Sequence, residues 1–196
     1  MKGRITLVLF TCIWEIGIFF LASYLSSDVT VKYQLAARYS ARTSFVIIAA
    51  ILFWMGLKGL KQIYSREDVR ERFILFLSIF ALNHLIHFIY IVLNFEANGL
   101  NLVAVRNGFG ALGYILLSLA PFYLWNKKEL SKRLYIQIYI FLLIVISIFF
   151  VTYLGRLFKQ VNQSSPLILY EVCLIFIGLV FFLNLHRVWL ERRGLR

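Results

Sequence analysis

Six apolar runs divide the chain, at about 5–25, 43–60, 73–94, 108–125, 134–154 and 167–189. Each is close to the roughly 20 helical residues that cross a hydrocarbon core about 30 Å thick. What remains between them is short connections, too little for a soluble domain. The pattern predicts an all-α integral membrane protein, a six-transmembrane-helix bundle in which residues 1–196 form a single transmembrane domain. The first run follows "MKGR" in the manner of a signal peptide. Glu15 interrupts it and no small-x-small cleavage site follows, so we expect a retained span.

Composition agrees with this pattern. The chain is 61% hydrophobic with 15% charged residues, against roughly 25% charged in soluble domains. Mean hydropathy is +0.81. The formal charge of +12 raises the question of nucleic acid, but the distribution of the charge answers it. If six spans alternate sides, fifteen of the 21 lysines and arginines fall on the face that holds both termini. That bias places both termini in the cytoplasm, where basic residues also meet anionic lipid. The expected partner of the charge is the lipid bilayer, with no nucleic acid implied. The expected setting is a bacterial cytoplasmic (inner) membrane crossed several times. Cys12 and Cys173 fall inside spans as small hydrophobes, and no disulfide is expected between them.

The connections carry weaker signals. "SSDVTVKYQLAARYSAR" is expected as the first external loop, ending in Arg38 and Arg42 one helical turn apart. Those two guanidinium groups suit a propionate, a lipid phosphate or a partner's carboxylate, or else they anchor the second span at the interface. In the second connection, "SRED" resembles a capping box with Ser65 as N-cap. A short helix or a solvated linker both fit there. "GFGALG" at 108–113 has the loose spacing of a dinucleotide fingerprint but no strand before it, so only its small residues count. Pro121 is expected to kink the fourth span. "NQS" at 162–164 is a glycosylation acceptor only in a eukaryotic host.

Candidate chemistry lies inside the spans. "ALNHLIHFIY" puts His84 and His87 three residues apart, on one helix face, with Asn83 beside them. His84 is roughly 17 Å from Arg72 along a helix, near the midplane. An imidazole there needs a hydrogen-bonding neighbour or a metal. Glu15 and Glu171 are ionisable groups inside spans, functional candidates by default and equally readable as hydrogen-bonded acids facing a bundle. His186 closes the sixth run within "HRVWLERR", which suggests an interfacial anchor. A zinc site needs three or four converging ligands, and the histidines at 84, 87 and 186 differ in depth. Haem needs one or two axial ligands. His84 and His87 share a face and cannot clasp opposite sides of one porphyrin. A single-histidine haem, a haem with an unusual second ligand such as Tyr, or no haem remain open.

The order of features resembles the ferric reductase-like transmembrane domain over roughly residues 38–190. Its short bacterial branch, the haem-binding membrane subunit of the periplasmic methionine sulfoxide reductase system, is most similar. "ARTSFVIIAAILFW" corresponds to the second span and "RERFILFLSIFALNHLIHFIYIVLNF" to the third, with His84 at the mid-span histidine. "RNGFGALGYILLSLAPFYLW", "KRLYIQIYIFLLIVISIFF" and "PLILYEVCLIFIGLVFFLNLHRVW" follow in order. The resemblance implies b-type haem (haem b) on His84, with His87 as a second candidate ligand, and electron transport across the membrane as an oxidoreductase subunit. A periplasmic or membrane redox partner would accept the electrons, and quinol or a cytoplasmic flavoprotein would donate them. One departure matters. Where the family's fifth span supplies haem-ligating histidines, this chain has Tyr135 and Phe149. The alternative is a haem-free, degenerate relative acting as a non-catalytic membrane partner or assembly factor. A small-solute transporter using Glu15 and Glu171 is a further alternative, weakened by the lack of an internal repeat.

Overall fold

The computed structural model describes residues 2–100, 105–125, 131–159 and 167–193. The described residues are helical apart from short connections, with no strand among them. In chain order the helices are α1 (Lys2–Leu25), α2 (Val29–Lys58), α3 (Leu60–Ser65), α4 (Glu67–Ala97), α5 (Val105–Trp125), α6 (Lys132–Lys159) and α7 (Leu167–Arg192). Five of them, α1, α2, α4, α6 and α7, are long and apolar enough to cross a membrane. The described side chains of α5 add a shorter apolar stretch, Ile115–Trp125. Pro121 lies inside α5, four residues before its end.

The chain clusters into two compact units. One is Met1–Ile47 with Ile74–Lys128, and the other is Ile48–Phe73 with Glu129–Arg196. In the first unit α1 buries a single stripe, Thr11, Glu15, Ile18 and Ala22, at a spacing of four, three and four residues. Its neighbours point outward: Trp14 is 52% and Ile16 53% exposed, while Glu15 is 1% exposed. This inversion, with apolar side chains outside and the acid inside, is the arrangement a lipid solvent favours, because lipid cannot satisfy a carboxyl group. Ala22, Ala36 and Tyr90 form a small buried cluster that holds α1, α2 and α4 together. The Phe19 and Tyr90 rings stack within it at 6.3 Å.

In the second unit, α6 and α7 pair through Tyr139 and Asn184 near one end and Tyr153 and Tyr170 near the other. Asn184 donates to the Leu52 carbonyl of α2 at 3.0 Å and to its own helix at Val180. Gly56 of α2 allows that approach: a Cβ there would lie 3.2 Å from Leu183 Cβ. Gly59 separates α2 from α3 with φ 84° and ψ 150°, a conformation open essentially to glycine alone.

Two connections differ from the sequence reading. The expected first loop is mostly helix, since α2 begins at Val29 and contains both Arg38 and Arg42. Asp28 is the reason. Its Oδ1 accepts from the Thr30 and Val31 amides at 2.7 and 3.1 Å and caps the helix early. The expected capping box also shifts. Ser65 ends α3, and Arg66, extended at φ −110° and ψ 123°, joins α3 to α4. Asp68 accepts from the Arg66 guanidinium at 2.8 and 3.1 Å, so its carboxylate is not committed to a box with Ser65. Lys127, Lys128, the "NQS" triplet and Arg196 lie outside the described residues, as do the side chains of Lys2, Arg4 and Arg106.

Candidate functional site

The first unit holds a chain of buried polar groups. On α4, Asn83, His87 and Tyr90 recur at four and three residues, and all three are buried. On α2, Ala36, Ser40 and Ser44 recur every four residues and are fully buried. Small side chains at that spacing let two membrane helices approach closely. Glu15 on α1 completes the group.

The hydrogen bonds run in one direction. Asn83 Nδ2 donates to Glu15 Oε1, so the other amide atom, Oδ1, is the acceptor. Ser44 Oγ stands 2.5 Å from that Oδ1 and supplies the proton between them. A hydroxyl has one proton, so toward His84 Ser44 can only accept. His84 Nδ1 lies 3.2 Å from Ser44 Oγ and therefore carries the hydrogen. The path reads His84 Nδ1–H to Ser44, Ser44 to Asn83, and Asn83 to the Glu15 carboxyl. Nε2 of His84 is thereby the lone-pair nitrogen of the ring. Ser40 stands beside the Glu15 carboxyl, and Tyr90 Oη donates to the Glu15 backbone carbonyl at 2.9 Å.

The two histidines are neighbours with different surroundings. Their ring centroids are 5.8 Å apart. Phe80 stacks on His84 at 5.1 Å. His87 is 8% exposed and hydrogen-bonds the Ala37 backbone of α2. The pair thus faces α2, and about two turns of that helix, from Ala37 to Ser44, separate the contacts of the two imidazoles.

The other candidates have surroundings of their own. Arg38 and Arg42 occupy α2 two residues from Ser40 and Ser44, which turns them to another face of the helix. Both are half-buried, and the Arg42 guanidinium lies 5.2 Å over the Tyr39 ring. Glu171 is exposed on α7. His186 is exposed as well, stacked between Phe182 and Trp189 at 6.1 and 6.0 Å. Tyr135 is buried in the second unit against Phe73, with ring centroids 6.1 Å apart. Phe149 lies 6.1 Å from Tyr153. Cys12 and Cys173 are not joined by a disulfide. No group of three His, Cys, Asp or Glu side chains converges among the described residues.

Sequence reasoning found Glu15, Asn83 and the histidines but missed Ser40, Ser44 and Tyr90. The small residues every fourth position from Ala36 were the available signal for the serines. It also missed a second polar group, in the other unit, where Tyr139, Asn184, Arg187 and Glu191 line a narrow cleft with Met55, Leu60 and Val188. Asn184, alone in an apolar run, was the signal there. No protein-family model, curated protein or solved structure matches the chain.

Proposed function

We propose that this chain is a membrane electron-transfer subunit of the ferric reductase-like type, with His84 as the protein ligand of a b-type haem. The observation that carries the reading is the contact of His84 Nδ1 with Ser44 Oγ, at the head of the path through Asn83 to Glu15. Ligating histidines hold one ring N–H on an oxygen acceptor, which orients the ring and leaves the other nitrogen as donor to the metal. The bond from Nδ1 to Ser44, with Asn83 and Glu15 behind it, prepares Nε2 for that role. His84 would hold the haem through one imidazole nitrogen, with His87 beside it on the same helix face.

When bound, haem supplies reversible one-electron transfer. The contribution of this chain is to hold the ring and to keep water from it. Phe80 covers one face of His84. Glu15, at the far end of the path, strengthens ligand basicity through Asn83 and Ser44. In keeping with the family likeness and the basic bias, we place six spans in a bacterial inner membrane with both termini cytoplasmic. Electrons would pass to a periplasmic or membrane partner from quinol or a flavoprotein.

A second reading has its own support. Tyr135 and Phe149, at the places of the family's fifth-span ligands, pack on Phe73 and Tyr153. A chain that had lost haem and acts as a membrane partner or assembly factor would look like this. One experiment separates the two: a reduced-minus-oxidised absorption spectrum of the purified chain, made with ample haem. The first reading expects a Soret band with sharp α and β bands, abolished by His84→Ala and kept in Phe182→Ala. A featureless spectrum from folded protein selects the haem-free reading.

A further inference from the structure

One end of the second unit gathers five helix termini. Arg187 of α7 donates to the Lys58 carbonyl at the end of α2 at 3.0 Å, and the Lys61 amide of α3 donates to Glu191 of α7 at 3.3 Å. Lys132, at the start of α6, lies 5.9 Å over the Tyr64 ring of α3. Tyr135 on α6 packs on Phe73 near the start of α4. These contacts bring the ends of α2, α3 and α7 and the beginnings of α4 and α6 together.

The charges at this end do not balance. Asp68 pairs with Arg66 at 2.8 Å, Glu67 with Arg70 at 3.7 Å, and Glu191 with Arg187 at 3.5 Å. Glu71 adds one more carboxylate. Lys58, Lys61, Lys132, Arg133, Arg192 and Arg193 are all exposed, and none is in an ion pair among the described residues. Arg193 lies 4.1 Å over the Trp189 ring, holding a cation on an interfacial aromatic. The helices turn apolar at once beyond the cations: Leu57 is 57%, Trp189 45% and Leu185 70% exposed.

We propose that this end is a binding surface for anionic phospholipid, with the phosphate-bearing headgroup against the unpaired cations and the acyl chains along Leu57 and Leu185. An acidic protein or a nucleic acid would satisfy the charges but not the exposed apolar side chains directly behind them. Lipid satisfies both, with its phosphates where α2 and α7 end and α6 begins. Surface cations at a membrane attract such lipids in proportion to their number and lose that attraction as salt screens them.

The test uses the full chain in vesicles of phosphatidylcholine with a minority of phosphatidylglycerol. Protein is excised with its surrounding lipid by a polymer, and the ratio of the two lipids is measured. The expected enrichment of phosphatidylglycerol over the bulk vesicle is at least about fivefold, the effect of one surface cation. Combined Lys58→Gln, Lys61→Gln, Lys132→Gln, Arg133→Gln, Arg192→Gln and Arg193→Gln should return the ratio to bulk. In the unmodified protein the enrichment should shrink as salt is raised, a readout that does not depend on the variant folding. Enrichment unchanged by salt overturns the proposal, as does a folded variant that keeps its enrichment. Complete displacement by inorganic phosphate at constant ionic strength would also overturn it, assigning the surface to free anions.

Discussion

Ser44 has one proton and lies within reach of both Asn83 and His84. Asn83 receives it because its amide nitrogen is already committed to Glu15. The network's worth is better judged by what breaks it than by what it adds. Polar contacts between membrane helices average about 0.6 kcal/mol, whereas a buried polar group stripped of its partner costs about 1–3 kcal/mol. Asn83→Leu should therefore destabilise the protein by about that larger amount, because Glu15 and Ser44 lose their partner together. Adding Glu15→Leu should recover much of the loss, since removing both partners of a buried pair is close to neutral. Thermal unfolding in one detergent compares the two. A double variant less stable than Asn83→Leu would show that Glu15 is held by something other than Asn83. At this scale the sequence was informative wherever a residue was conspicuous: an acid or an imidazole inside an apolar run announces itself. Ser44 and Tyr90 did not, because a hydroxyl in a membrane helix usually bonds its own backbone, as Ser78 does with Ile74. Only the facing helix shows that Ser44 does otherwise.

The ends of the helices were harder to read than their middles. Hydropathy marks the stretch that lipid can cover, and α2 continues well beyond it in the N-terminal direction, to Val29. Asp28 sets that boundary, and its carboxyl is held below the usual carboxylate range, first by the Thr30 hydroxyl and then by the Val31 and Thr30 amides. A lowered value means that capping is complete above the ordinary carboxylate range and fades as pH falls through the folded-state value. Hydrogen-exchange protection at Thr30 and Val31, corrected for intrinsic rates, should therefore decline in acid. In Asp28→Asn it should not vary with pH, and an acid decline persisting in that variant would place the titration elsewhere. The α2–α3 junction depends instead on backbone freedom. Gly59 is at a positive φ, and a Cβ there would collide with Glu191 Oε1 and Arg187 Nε. Gly59→Ala should cost about 1–3 kcal/mol from the backbone conformation alone. A variant within a few tenths of the parent would mean that the junction relaxes without help from its glycine.

Across the whole chain, the apolar runs were legible because a lipid-crossing helix must be about 20 apolar residues long whatever it packs against. The partition of those helices into two compact units was not, because it depends on which stripe of each helix is buried. On α1 that stripe is Thr11, Glu15, Ile18 and Ala22, and nothing in mean hydropathy separates it from the lipid-facing residues between them. The candidate site follows the same logic, since its members come from α1, α2 and α4 and become neighbours only when those stripes meet. The role of His84 depends on the direction of one hydrogen-bond path, from His84 through Ser44 and Asn83 to Glu15. Histidine labelled with ¹⁵N and observed by NMR reports that direction, and His87→Gln and His186→Gln identify the His84 signals in a chain of three histidines. The prediction is hydrogen on Nδ1 and a lone pair on Nε2 in the haem-free protein, with the preference weakened or lost in Ser44→Ala. Hydrogen on Nε2 in the parent protein would contradict it, because the path would then run the other way and His84 would lack the nitrogen that the proposed function requires.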